Sequence, residues 1–135
     1  MNQFPSAEHL SSWAGVCPGN NESAGKKKSG KTRRGGVWLR RILCEGAWAA
    51  SHCKKSYFSA QYQRLASKRG KKRALIAVAH SLIVVGYHLL KRGCTFQDLG
   101  PDYFERVNHS ALTRYHLKKL DALGYDINIT LKDPA

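Results

Sequence analysis

One hydroxyl stands out for its neighbours. Ser23 is followed by Ala24-Gly25-Lys26 and opens a run to Gly36 built mostly of Gly, Ser, Lys and Arg, with no large apolar residue. A serine in such a loop has the chemistry to attack a phosphodiester. Nearby cations neutralise the charge that builds on phosphorus and favour the alkoxide. The plainer reading stands beside it: most loop serines only shape a turn, and no histidine lies within a few positions to serve as base.

The cations are dense. Lys26, Lys27, Lys28, Lys31, Arg33, Arg34, Arg40 and Arg41 place eight positive charges in sixteen residues. Glycines between them let the backbone approach a sugar–phosphate strand, as a nucleic-acid clamp requires. A second group, Lys71, Lys72 and Arg73, sits with Lys68 and Arg69 around Gly70 and adds to the expected nucleic-acid contacts. Gly25 to Thr32 also satisfies G-x-x-x-x-G-K-T, the phosphate-loop pattern of nucleotide hydrolases. That motif works only between a buried strand and a helix beginning at Lys-Thr. Here Pro18 to Glu22 precedes it and Arg33-Arg34-Gly35-Gly36 follows. Trp38, Trp48, Tyr57 and Tyr62 could stack on bases, but their helical spacing assigns them to a core.

Metal chemistry has little to work with. Between Ser23 and Gln97 the single acid is Glu45, so the basic body lacks the paired carboxylates of two-metal hydrolysis. Asp98, Asp102 and Glu105 read as capping and solvated residues, and His80 and His88 as core or interface histidines. Cys17, Cys44, Cys53 and Cys94 show no zinc spacing and read as reduced, mostly buried thiols; a zinc site on Cys44, His52 and Cys53 has no support.

These residues need elements to hold them. Ser6 is placed to cap a helix carrying Glu8 in its first turn and Leu10, Trp13 and Ala14 along one side. Gly15 and the Cys17-Pro18-Gly19 turn end it. After the basic loop, Trp38, Leu39, Ile42, Leu43, Ala47 and Trp48 recur at three- and four-residue steps as an apolar stripe. A helix through Tyr57, Phe58, Tyr62 and Leu65 ends at Gly70. Ala74 to Leu90 is the most apolar stretch, slightly short for a bilayer and containing His80, Ser81 and His88, which favours a central bundle helix. Asp102 to Val107 forms a helical turn, Ser110 caps a helix ending at Gly124, and Tyr125 to Leu131 alternates as a short strand. The fold class expected is mainly α: a small helical bundle with an exposed basic loop near the N-terminus and a C-terminal helix–strand extension.

The 135 residues suit one modest core, and 42% hydrophobic content excludes a wholly disordered basic tail. The formal charge is +14, unevenly spread: Ser23 to Gln97 nets +17 and the remainder −3. A polyanionic partner is the direct implication, with nucleic acid ahead of membrane or acidic substrate. No secretory signal opens the chain, and the cytoplasm is the expected compartment.

The ordered motifs Phe4-Pro5-Ser6-Ala7-Glu8-His9-Leu10, Trp13-Ala14-Gly15-Val16-Cys17-Pro18-Gly19, Glu22-Ser23-Ala24-Gly25-Lys26 and Trp38-Leu39-Arg40-Arg41 are distinctive together. With Glu45 to Ala50, Tyr62 to Leu65 and Arg69 to His80, they resemble the C-terminal domain of bacterial transposases of the insertion-sequence 110/116/902 family, over about residues 3–95. The resemblance implies a recombinase of two parts. An N-terminal RuvC-like domain binds divalent metal (Mg) through four acidic residues. The C-terminal domain supplies a serine that joins covalently to cleaved DNA, and an RNA from the element guides target choice.

By motif the nucleophile falls on Ser23, with Lys26, Arg33, Arg34, Arg40 and Arg41 holding the strand or guide RNA. The implied organisation is a serine domain over 1–95, truncated at its N-terminus, and a helix–strand tail over 96–135. The implied partners are DNA and a guide RNA, with homo-oligomers at full length, no membrane, and no cofactor in this piece. Alone, it is expected to bind without cutting. Gly35-Gly36-Val37 departs from the family's pattern, where a Gly-Asn pair is expected. Two other readings stay open: a non-catalytic basic RNA- or DNA-binding protein, and a phosphate-loop nucleotide hydrolase.

Overall fold

The computed structural model describes residues 3–19, 21–32 and 34–126, and the chain divides into a unit ending at Pro101 and a second one beginning at Asp102. In the first unit, helix α1 (Ala7–Trp13) starts where expected. Ser6 is extended, and its hydroxyl accepts the His9 backbone N–H at 3.4 Å. A hydrogen bond with the Ser6 side chain holds the Glu8 carboxyl below its ordinary pKa. Gly15, at φ 73°, turns the chain out of the helix.

The segment expected as a loop contains a hairpin: β1 (Asn21–Ser23) and β2 (Lys26–Ser29) pair antiparallel in a two-stranded sheet. Three helices follow. These are α2 (Val37–His52), α3 (Tyr57–Arg69) and α4 (Lys71–Arg92). Ser56 caps α3 by accepting the Ser59 N–H, and Gly70 at φ 85° separates α3 from α4. Gly93 at φ 65° closes α4, donating its N–H to Leu89. Both glycines sit where a side chain would be strained.

The core forms because α4 packs against α1, α2 and α3. Leu10, Ala14 and Val16 meet Ala47, Phe58, Val78, Ala79, Ile83 and Tyr87 there. The small residues Ala47, Ala74 and Ala79 are fully covered, which lets the helices approach closely. Tyr87 is 2% exposed and donates its hydroxyl to the carbonyls of Phe4 and Pro5 (3.0 and 3.1 Å), tying the start of the chain to α4. By length and composition α4 could cross a bilayer; here its Ala74–Val78–Ala79–Ile83–Tyr87 side is core. Asp98 accepts from the backbone N–H of Tyr57 (3.0 Å) and of Gly100 (2.8 Å), the capping role read from the sequence. Phe96 stacks on Phe58, with ring centroids 5.9 Å apart.

The second unit holds α5 (Tyr103–Val107) and α6 (His109–Ala122). The cap of α6 is Asn108, two residues before the expected Ser110, because the helix begins as soon as α5 ends. The Tyr115 hydroxyl hydrogen-bonds Lys119 and holds its ammonium above the ordinary pKa. The strand expected from Tyr125 to Leu131 lies, from residue 127 on, outside the described residues.

The mainly α bundle is as expected, with further corrections. The thiols are free, but none is buried: Cys17 and Cys44 are half-exposed, Cys53 and Cys94 exposed. The inward stripe of α2 keeps only Leu39, Leu43 and Ala47 of the one read from spacing. Leu39, Leu43, Ala47 and Ala50 face the core, while Trp38, Ile42 and Trp48 point outward at 78%, 63% and 55% exposure. Trp13 is likewise 56% exposed instead of lining the core side of α1.

Candidate nucleic-acid interface

Ser23 is the last residue of β1, directly before a two-residue turn. Ala24 (φ 51°) and Gly25 (φ 73°) both have positive φ, the type I′ arrangement that matches the twist of a short hairpin. Ser23 pairs with Lys26 across the turn. Residues directly opposite share a face with Cβ atoms about 5 Å apart. The register therefore sets Ser23 and Lys26 side by side on one face of the hairpin, and both side chains are exposed. Glu22 stands opposite Lys27 and Asn21 opposite Ser29, with a bulge between Asn21 and Glu22.

The root of this hairpin is pinned to the helical body by backbone. Gly19 donates its N–H to the Lys31 carbonyl at 3.0 Å. A Cβ on Gly19 would collide with that same oxygen, and one on Gly35 would collide with the backbone of Gly15 and Ala14. Gly36 donates to the Trp13 carbonyl at 3.1 Å. Lys31 donates its N–H to the Ser29 hydroxyl at 3.2 Å, and the Arg40 guanidinium reaches the Thr32 hydroxyl at 2.8 Å. Gly19 and Gly35 are thus sites of close approach, whereas a Cβ on Gly30 would meet nothing within 4 Å. Among the described elements, the strands contact only each other, so the tip carrying Ser23 projects from the bundle.

The remaining site residues fall in three places. Lys26, Lys31 and Arg34 are exposed along the hairpin and its exit. Lys27 and Lys28 lie on β2, and their side chains, like all of Arg33, are outside the described residues. On α2, Arg40 is half-buried and occupied with Thr32, whereas Arg41 is exposed and pairs with Glu45 at 3.3 Å. An exposed i,i+4 pair of this kind contributes only a few tenths of a kcal/mol. Gly36 offers α2 no side-chain cap and the first turn carries no acid, leaving an electropositive end beside the hairpin root.

Lys71, Lys72 and Arg73 form the exposed first turn of α4, away from the two strands. Cations there oppose the helix dipole, and Lys68 and Arg69 add like charge at the end of α3. That concentration costs stability until an anion offsets it.

One other chemistry loses its geometry. The G-x-x-x-x-G-K-T letters are divided between a turn, strand β2 and the coil before α2, which starts at Val37 instead of at Lys31-Thr32. Among the described residues no cradle for a triphosphate forms. Among the described residues, no three His, Cys, Asp or Glu side chains are grouped to hold a metal ion. The open cleft of about 520 Å³ lined by Glu105, His109, Leu112, His116, Leu117 and Leu120 lies within the second unit. What sequence reasoning missed is the exposed aromatic row of α2. Its signal was present in the letters, since apolar residues occupy more of that helix than one core-facing stripe can use.

Residues 1–63 match the model of the transposase IS116/IS110/IS902 family. The matched segment contains α1, the hairpin with Ser23, α2 and the first half of α3, so the resemblance read from the motifs holds over these elements. No curated protein and no solved structure matches the chain.

Proposed function

We propose that this chain is a nucleic-acid-binding portion of a transposase and that Ser23 is its nucleophile for DNA strand transfer. The observation that carries the reading is the exposed I′ hairpin within the family-matched segment, which sets Ser23 opposite Lys26 at the tip of a pinned cationic protrusion. In the proposed step the Ser23 Oγ attacks a phosphodiester phosphorus and a serine–phosphate ester forms. The bond to one deoxyribose oxygen breaks, that oxygen leaves with a proton, and the serine proton passes to water. Lys26 neutralises charge on the pentavalent phosphorus, and Lys31 and Arg34 hold the flanking phosphates. The ester conserves the phosphodiester's energy for rejoining to a second strand.

The proposed serine domain spans residues 1–95, with 96–135 as a tail. DNA is the principal partner and a guide RNA the second, with assembly into homo-oligomers at full length in the cytoplasm. The divalent metal implied by the family belongs to its separate acidic domain. The test joins this chain to such a metal-binding half and compares Ser23 with Ser23→Ala. Covalent protein–DNA adducts, read on denaturing gels, disappear in the variant, while salt-sensitive DNA binding stays within about two-fold. Adducts that persist in Ser23→Ala remove the serine from the chemistry and leave a non-catalytic binding protein.

A further inference from the structure

The outer face of α2 is built unlike a solvated helix surface. Trp38, Arg41, Glu45, Trp48 and His52 follow one another at steps of three, four, three and four residues, which places them in a single row. Both tryptophans are more than half exposed, and Ile42 and Val37 beside the row are 63% and 74% exposed. The one acid is held by Arg41 at 3.3 Å, so no free carboxylate repels an anion along the row. His52 leans its ring against Trp48 with centroids 4.4 Å apart, which fixes that indole from one side. At 1.5 Å per residue, the two indoles stand about 15 Å apart along the axis.

An exposed apolar row has several conceivable occupants, and the charge around this one selects among them. It begins two residues after the hairpin root, with Lys31, Arg34 and the uncapped end of α2 just before it, and the Arg41–Glu45 pair within it adds no net negative charge. Ser23 to Gln97 contains eighteen Lys and Arg against Glu45 alone, so a second copy of this body would meet its own positive charge across the row. A strand of nucleic acid offers the complement, with phosphates for the cations and flat bases for the indoles. Base-on-aromatic stacking needs bases that are not already paired, and it tolerates any sequence.

We infer that Trp38 and Trp48 form a stacking platform for unpaired bases, so that the chain grips a single strand leading away from the Ser23 hairpin. The inference rests on the nucleic-acid reading above and adds what that reading lacks: a preference for unpaired over duplex strands, and the residues responsible. The 15 Å between the indoles is several times the 3.4 Å rise between neighbouring bases of a duplex strand, so the two rings engage separate bases.

The test is fluorescence anisotropy on the full 135-residue chain at two salt concentrations. The probes are a labelled 20-nucleotide single strand, the matching duplex, and the same strand with abasic sites in place of its central bases. The variants are Trp38→Leu, Trp48→Leu and Trp38→Tyr; all change exposed residues, and circular dichroism checks that helix content is kept. Each Leu variant should weaken single-strand binding at least five-fold, the loss expected for one base–aromatic stack. Duplex binding should stay within two-fold and the salt slope unchanged. Trp38→Tyr should recover most of the loss, and wild type should bind the abasic strand at least as weakly as either Leu variant binds the intact one.

Leu variants that bind the single strand like wild type overturn the inference while leaving the nucleic-acid reading intact. So does a change from dimer to monomer in the Leu variants with unaltered strand binding, which would make the row a contact between copies. A wild-type chain that binds neither probe at low salt overturns both readings.

Discussion

Ala24 carries a conformation its side chain resists. At φ 51° it sits in the left-handed region that Gly and Asn adopt readily, at a cost of about 1 kcal/mol for a residue with a Cβ. The sequence around it, Glu22-Ser23-Ala24-Gly25-Lys26, lacks the Asn-Gly pair that announces a hairpin, and its strands have no alternation of apolar and polar residues. This is why the letters read as a loop. Replacing Ala24 by Asn relaxes the turn without the entropy that Gly would add to the unfolded chain. Amide exchange at the β1 and β2 N–H groups should slow by several-fold in Ala24→Asn, and exchange at wild-type rates would show that the turn stores no strain. Ser23 was legible as a candidate from its neighbours; that it stands opposite Lys26 was not, since register depends on the turn.

The elements differ in how fully their sequences describe them. Helices α1 to α4 were readable because Ser6, Gly70 and Gly93 mark ends and the apolar steps mark the bodies. Which side of α2 faces inward was not readable. Leu39, Leu43, Ala47 and Ala50 make one acceptable stripe, and Trp38, Ile42 and Ala49 extend another around the helix. Spacing cannot choose between them. The neighbours can: α4 presents Val78, Ala79 and Ile83 at close range, and small Ala47 admits that approach where an indole would not. The hairpin root makes a sharper prediction. Gly35→Ala puts a methyl group onto the Gly15 backbone, and neither segment has a flexible side chain to yield. It should destabilise the chain by about 2 kcal/mol, read as a lower midpoint in urea unfolding. An unchanged midpoint would mean that the crossing opens without cost.

At the scale of the molecule the charge dominates. A body of net +17 joined to residues of net −3 repels itself and draws in polyanions over a distance set by ionic strength. The logarithm of affinity should fall linearly with the logarithm of salt, losing about 0.7 to 0.9 of slope for each phosphate contact removed. Lys71→Ala, Lys72→Ala and Arg73→Ala in one chain should lower that slope by about two if the first turn of α4 touches the strand. They should also raise the midpoint of thermal unfolding slightly by relieving repulsion against the helix dipole. A slope equal to wild type would confine the strand to the hairpin and α2.

By itself the sequence determined what is local or additive: the net charge, the bodies of α1 to α4, the ends marked by Ser6, Gly70 and Gly93, the turn serine, and the motifs of the transposase resemblance, which the family model matches over residues 1–63. Each depends on residues close together in the chain or on a simple sum. Tertiary structure decided three things. They are the close approach of Gly35 to Gly15, the outward turn of Trp38 and Trp48, and the capture of Arg40 by Thr32, which removes one cation from the free set. These depend on which surfaces exclude water together, a property of pairs of elements that no single stretch of sequence contains.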